Sequence, residues 1–141
     1  MNETNHLRAR PIAERGSARE TPSAVERRRA LRAGFRRLSD AVPDAMHGFG
    51  DLHRAAMAEG ALSTAHKELM ALAIGINVGC SGCITLHVHD ALRAGATPQE
   101  VQEAVGVALM MGGGTASVYA VEALAAMEDF EATIPSREVR P

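Results

Sequence analysis

The spacing of apolar residues constrains this chain most, because they recur every three or four positions in successive segments. That interval places side chains on one face of an α-helix, and the alternation expected of a β-strand is not evident. We therefore predict an all-α, single-domain bundle of about six helices. They cover residues 23–41, 43–59, 63–78 and 80–94, a segment from Thr97 to the glycines at 112–114, and 115–131.

Small and aliphatic side chains must build the core, because 46% of the residues are apolar but only 3% are aromatic. Helices with such inner faces are expected to approach each other closely. The predicted inner faces are Leu31, Phe35, Leu38 and Val42; Met46, Phe49, Leu52 and Met57; Leu69, Leu72, Ala73 and Ile76; Val101, Val105, Ala108 and Leu109; and Val118, Val121, Leu124 and Ala125. We expect the glycines at 112–114 to form a break or a close helix contact rather than a phosphate-binding loop.

Polar segments flank the predicted helical domain, which covers residues 23–133. Residues 1–22 lack apolar periodicity and are expected to form a flexible arm, with a partner-binding or targeting role left open. Residues 134–141 are expected to form a polar tail. The arginines of the first helix indicate a solvated basic face, with an anionic partner as the alternative.

Charge and hydropathy exclude several classes of function. The formal net charge of −2 argues against binding to bulk nucleic acid or to a membrane surface. We find no uninterrupted apolar run of about 18 residues, as a membrane span needs, and no secretory signal at the N-terminus. Two cysteines at C-x-x-C spacing, without an export signal, predict a cytoplasmic protein with a catalytic or redox-sensing pair.

The chemistry of the sequence is concentrated in residues 80–87, which read CSGCITLH. Cys80 and Cys83 are the only cysteines, and His87 follows four residues after the second one. The predicted turn between two helices places both thiols at a helix N-terminus, where the helix dipole and unpaired N–H groups stabilise a thiolate. Spacings of three and four residues would direct all three side chains to one helix face.

Glu68 is the acidic residue best placed to join this group. If the helices on either side of the turn pack antiparallel, Glu68 lies about 11 residues before the turn and His87 about eight after it, within about one helical turn of each other. A carboxylate, an imidazole and two thiols would then line one groove. An exposed helix acid is the alternative interpretation of Glu68, and His47, His53, His66 and His89 are expected to lie outside the site.

Glu68, Cys80, Cys83 and His87 together resemble the E-x(11)-C-x-x-C-x-x-x-H pattern of the alkylhydroperoxidase D-like, carboxymuconolactone decarboxylase family. The resemblance extends from about Gly60 to Phe130. It implies a thiol-dependent antioxidant oxidoreductase with these four residues as its catalytic group. Peroxidase members can carry a histidine between the cysteines, where this chain has Ser81 and Gly82, and decarboxylase members generally lack the cysteine pair.

The resemblance also implies roles and partners. Cys83 would attack the hydroperoxide, Cys80 would resolve the sulfenic acid to a disulfide, and a lipoyl or thioredoxin-like dithiol protein would reduce it. A disulfide could be the substrate instead, and no metal, flavin or haem is needed. The resemblance further implies a homo-oligomer, a trimer or hexamer, with the site near a subunit boundary. Tyr119 could lie at that boundary or in the site.

Two other functions remain open from the residues themselves. Cys80, Cys83 and His87 have a spacing that could bind zinc, with Glu68 or water as fourth ligand. Alternatively, the protein is a non-redox family member, such as a decarboxylase-like enzyme or an assembly module whose cysteines are incidental.

Overall fold

The computed structural model describes residues 21–134, and within that range the chain is all-α and forms a single domain. The predicted arm lies almost wholly outside the described residues, as does the predicted tail except for Ile134. The described helices are α1 (Ala24–Ala41), α2 (Pro43–Met57), α3 (Thr64–Asn77), α4 (Ser81–Ala94) and α5 (Pro98–Glu131).

Short-range signals in the sequence set the helix ends. Ser23 and Thr97 begin α1 and α5 with capping boxes, in which each hydroxyl accepts the backbone N–H of a glutamate three residues on. Ser63 caps α3 in the same way through the N–H of His66. Gly95 ends α4 in the left-handed conformation at φ 104°.

The prediction of about six helices differs from the structure at residue 113. The fifth and sixth predicted helices are one element, α5, which is kinked at Gly113 with φ 61° and ψ −145°. A residue with a β-carbon rarely adopts such angles, so the glycine at this position permits the kink. The break expected at residues 112–114 is therefore present, but the helix continues on both sides of it.

Three helices, α3, α4 and α5, pack against one another and form the core, and α1 lies across α4 and α5. The α1 N-terminus is fixed to α5 because the backbone N–H of Ala24 donates to Asp129 at 2.6 Å. As predicted, the core consists mainly of small and aliphatic side chains. Its fully buried large members are Leu72, Ile76, Ile84, Val88, Val101 and Phe130, with alanines at 108, 116, 120, 123 and 126.

Four of the five predicted inner faces were wrong in whole or in part. In α1, Phe35, Leu38 and Val42 are 40 to 45% exposed, and none of the residues of α2 is buried. In the second half of α5, Val118 and Val121 are exposed, and alanines supply the buried face instead. Leu109 in the first half is also exposed, whereas Val101, Val105 and Ala108 are buried as predicted. The periodicity identified apolar helix faces correctly, but in the described part of the chain no other element covers the exposed faces.

An open groove of about 520 Å³ accompanies the exposed face of α1. It is lined by Arg27, Ala30, Leu31, Gly34, Phe35 and Leu38 from α1 and by Ser81, Gly82 and Thr85 from the first turns of α4. The methyl groups of Leu31 approach to 3.5 Å from where a β-carbon on Gly82 would stand. The predicted inner stripe of α1 therefore forms one wall of a groove rather than part of the core.

By length and hydropathy, α5 would suffice to cross a membrane, with a mean hydropathy of 1.5 over an 18-residue window. Core helices of soluble proteins meet the same criterion, and 22% of this window is buried in the described fold. The alanine-rich face of α5 packs against α3 and α4, and Gly113 kinks the helix at mid-length. We therefore describe α5 as a core helix.

His89 gives the fold a predictable dependence on pH. Burial is the main cause that lowers the pKa of His89, against an opposing hydrogen bond from its Nδ1 to Asp90, and its ring packs edge-on to Phe130 at 5.1 Å. The folded state therefore favours neutral His89, whereas the unfolded chain takes up a proton near pH 6.5. Its contribution to stability should be present above about pH 6.5 and be lost as the pH falls below that value.

We expect the free energy of unfolding, measured by urea denaturation at pH 7.5 and 5.5, to fall less in a His89→Gln variant than in the parent protein. The exposed His53 gives the control, since His53→Gln should keep the parent's dependence on pH. An equal loss of stability in all three proteins would contradict this role for His89.

Candidate active site

A tight turn between α3 and α4 presents the first cysteine. Gly79 adopts φ 70°, and the backbone N–H of Cys80 donates to the carbonyl of Gly75 at 3.0 Å. The turn packs under the ring of Tyr119 from α5, so closely that a β-carbon on Gly79 would stand 2.9 Å from the ring. Gly79 is therefore needed both for its conformation and for the space that it leaves.

Cys80 is the N-cap of α4 rather than its first helical residue. Its Sγ accepts a hydrogen bond from the N–H of Cys83 at 3.1 Å, as a serine would at this position. We predicted that both cysteines are helical residues on one face, and this is wrong for Cys80, because the helix begins at Ser81. The N-cap position still places Cys80 at the positive end of the helix dipole.

The two cysteines are joined by a disulfide, with their Cα atoms 5.2 Å apart. Both residues are half-buried. The β-carbon of Cys83 lies only 3.3 Å from where a β-carbon on Gly75 would stand, so the glycine lets α4 approach α3 at this level. The site described here is therefore the oxidised form of the C-x-x-C pair.

Glu68 and His87 meet across the same two helices. Glu68 Oε2 lies 2.7 Å from His87 Nδ1. The carboxylate is buried, with 3% of the residue exposed, whereas 21% of the His87 side chain is exposed. The geometric prediction that antiparallel packing brings these residues together is thus met, and Glu68 is not an exposed acid.

This contact determines the tautomer of the imidazole. A carboxylate accepts hydrogen bonds, so Nδ1 carries the ring proton and donates a hydrogen bond to Glu68. Nε2 is then the nitrogen that is free to accept a proton. Burial makes the partner necessary, because a carboxylate removed from water without a hydrogen bond would strongly destabilise the fold. His87 also lies one helical turn after Cys83 on α4, at a spacing of four residues.

Glu122 and Tyr119 of α5 lie beside the cysteine pair, and of these the sequence analysis missed Glu122. Ser81 Oγ donates a hydrogen bond to Glu122 Oε2 at 2.8 Å, and Tyr119 packs on the turn before Cys80. The sequence left Tyr119 open between the site and an interface, and in the structure it borders the site. Glu122 follows Tyr119 by three residues on α5, but a separation of 41 residues from Ser81 leaves no local signal for their contact.

The remaining described histidines lie outside this group, as predicted. His47 and His53 are exposed on α2, His66 bonds the cap residue Ser63, and His89 packs on Phe130. Within residues 21–134, no group of three or more His, Cys, Asp or Glu residues could hold a metal ion. In this oxidised form the two sulfurs are bonded to each other, so they do not offer the thiolates that a zinc site needs.

Comparison with known proteins identifies the family. Residues 43–126 match the carboxymuconolactone decarboxylase family, so the chain belongs to it. The matched region contains the turn, the disulfide and the Glu68–His87 pair. It excludes α1, which supplies one wall of the groove described above.

Individual relatives agree with this assignment. The chain is 40% identical over 91 residues to an uncharacterized protein of Cupriavidus necator, which covers 64% of this chain and 80% of that protein. It is 38% identical over 80 residues to uncharacterized protein 4 in the cox locus of Paracoccus denitrificans, covering 57% and 72%. The crystal structure of an apo carboxymuconolactone decarboxylase family protein from Legionella pneumophila superposes with a TM-score of 0.73 at 36% identity, covering 76% of this chain and 96% of that one.

Proposed function

We propose that this protein is a thiol-dependent oxidoreductase that reduces hydroperoxides or disulfides through its cysteine pair. The observation that supports this most is the Cys80–Cys83 disulfide at the N-terminus of α4, on the same helix pair as the buried Glu68–His87 contact. A redox-active dithiol needs a stabilised thiolate, a proton acceptor and a group that orients the acceptor. The α3–α4 pair carries residues suited to all three roles.

The proposed peroxide reaction starts from the reduced pair. His87 Nε2 takes the proton of the Cys83 thiol, and the thiolate attacks the terminal oxygen of ROOH. The O–O bond breaks, Cys83 becomes a sulfenic acid, and the leaving alkoxide takes the proton from His87 to give ROH. The Cys80 sulfur then attacks Cys83, water leaves, and the disulfide forms. The assignment of Cys83 as the attacking sulfur follows the family resemblance.

A second dithiol would complete the cycle. It transfers two electrons and two protons to the pair, so that the Cys80–Cys83 bond breaks and the reductant closes its own disulfide. A lipoyl or thioredoxin-like protein has this chemistry. The Ser81–Gly82 spacer favours disulfide exchange as the alternative to peroxide turnover, with a protein or small-molecule disulfide as the substrate. We propose a cytoplasmic location, where such reductants operate.

The roles of the two sulfurs can be separated by single substitutions. Cys83→Ser should abolish peroxide reduction, whereas Cys80→Ser should still allow one oxidation and trap a sulfenic acid or a mixed disulfide on Cys83. Mass spectrometry after one equivalent of a hydroperoxide measures both outcomes. A sulfenic acid trapped on Cys80 in the Cys83→Ser protein would reverse the assignment, and activity that survives replacement of both cysteines would favour a non-redox enzyme.

Glu68→Gln tests the carboxylate without changing its shape. If Glu68 orients and polarises His87, the variant should remain folded but lose rate, by on the order of 10²-fold as for general acid–base steps. Stopped-flow oxidation of the reduced protein gives the rate, and thermal unfolding confirms the fold. Glu131→Gln, an exposed change on α5, is the matched control. A Glu68→Gln protein with parental rates would leave the carboxylate with a structural role only.

We also propose that the protein functions as a homo-oligomer, for which the family resemblance favours a trimer or hexamer. Large apolar side chains that are 54 to 74% exposed lie along two packed helices: Met70 and Ile74 on α3 with Val78 at its C-cap, and Val107, Met110, Met111, Val118 and Val121 on α5. So many exposed large apolar side chains on two neighbouring helices are typical of an interface. Val78, Val118 and Val121 are close in sequence to Gly79 and Tyr119, which supports a site near a subunit boundary.

Light scattering at low micromolar concentration should therefore give a multiple of the 14.9 kDa chain mass. Met111→Glu places a charge on the α5 face and should dissociate the assembly, whereas Gln102→Glu, at an exposed position of the same helix, should not. A stable parental monomer with full thiol activity would contradict this proposal.

A further inference from the structure

Helix α5 holds a carboxylate against Ser81, the residue that follows the first cysteine. Tyr119 packs on Gly79, and Glu122, almost one helical turn further on, accepts a hydrogen bond from Ser81 Oγ at 2.8 Å. Ser81 is the first residue of α4 and is covalently adjacent to Cys80. The ring contact fixes this part of α5 against the turn, and the hydrogen bond fixes the carboxylate at the N-terminus of α4.

Two acceptors consequently share one helix terminus. Cys80 Sγ accepts the N–H of Cys83 at 3.1 Å, and the Glu122 carboxylate is bound through Ser81 in the same turn. The positive end of a helix dipole favours one negative charge, but a neighbouring carboxylate disfavours a second one. An anionic Glu122 therefore opposes the ionisation of Cys80 once the disulfide has been reduced.

The second cysteine has different surroundings. Cys83 lies inside α4, with its β-carbon against Gly75 of α3, and His87 follows it by one helical turn. His87, the proposed proton acceptor, thus lies one turn after Cys83, whereas the added negative charge of Glu122 is bound by Ser81, the residue next to Cys80. Two thiols in such different environments have different protonation states, although they are chemically identical.

We infer that Glu122 is a positioning residue that keeps Cys80 protonated in the reduced protein, so that the thiolate forms at Cys83, and that Tyr119 holds Glu122 in place. The inference deepens the proposed function by explaining which sulfur attacks. The proton retained on Cys80 leaves with the sulfenic oxygen as water when the disulfide closes, so the balance of the reaction is unchanged.

The test uses alkylation of the full-length, reduced protein in a Cys83→Ser background, where Cys80 is the only thiol. Iodoacetamide reacts with the thiolate, so its rate at pH 7 reports the ionised fraction of Cys80. Glu122→Gln should raise this rate about two- to fivefold, as expected for an exposed charge interaction. Ser81→Ala, which releases the carboxylate, should raise it less, and the exposed Glu128→Gln should leave it unchanged.

The dependence of the alkylation rate on ionic strength distinguishes an electrostatic role of Glu122 from a purely structural one. The difference between Glu122→Gln and its parent should shrink between 20 mM and 500 mM salt, because an interaction near the surface is screened. A parental or slower alkylation rate in a folded Glu122→Gln protein would overturn the inference. Alkylation needs no peroxide, so the two proposals can fail separately. A protein that is inert toward peroxides but shows the expected alkylation rates would contradict the proposed peroxidase function and support the role of Glu122.

Discussion

The close approach of α3 and α4 is the constraint on which the rest of this structure depends. At one level, Gly75 leaves room for the β-carbon of Cys83, and at another the buried carboxylate of Glu68 binds His87. A buried carboxylate without a hydrogen-bond partner would strongly destabilise the fold, so this contact also fixes the register of the two helices. The turn that connects the two helices is short, so their packing also determines where the cysteines lie.

The sequence predicted this part of the molecule well, because its signals are local or nearly so. Capping residues, the glycine turn and helical periodicity determine where α3 and α4 begin and end. With the ends known, the antiparallel packing of two helices across a short turn brings Glu68 to His87 by simple counting. The match of residues 43–126 to the carboxymuconolactone decarboxylase family confirmed the predicted family membership. The catalytic roles of the four residues remain a prediction.

The exposed faces of α1, α2 and the second half of α5 could not be predicted from periodicity alone. A stripe such as Phe35 and Leu38 shows that a helix has an apolar face, but not whether its own chain or another molecule covers it. Alanines also have little weight in such a pattern, and the buried face of α5 consists largely of alanines. Glu122 was missed for a different reason, since its contact with Ser81 depends on the tertiary packing of α5.

Gly113 stands apart from the site, yet the site depends on it. Its backbone conformation is one that a residue with a β-carbon rarely adopts, and no neighbouring atom restricts the space there, so the requirement is purely conformational. The kink sets the direction of the half-helix that carries Tyr119 and Glu122. A replacement that straightened α5 would move both side chains relative to the turn without touching any reacting group. The surroundings of the sulfurs therefore depend on one backbone angle within α5, and a substitution at Gly113 would change the chemistry of the pair without replacing any functional residue.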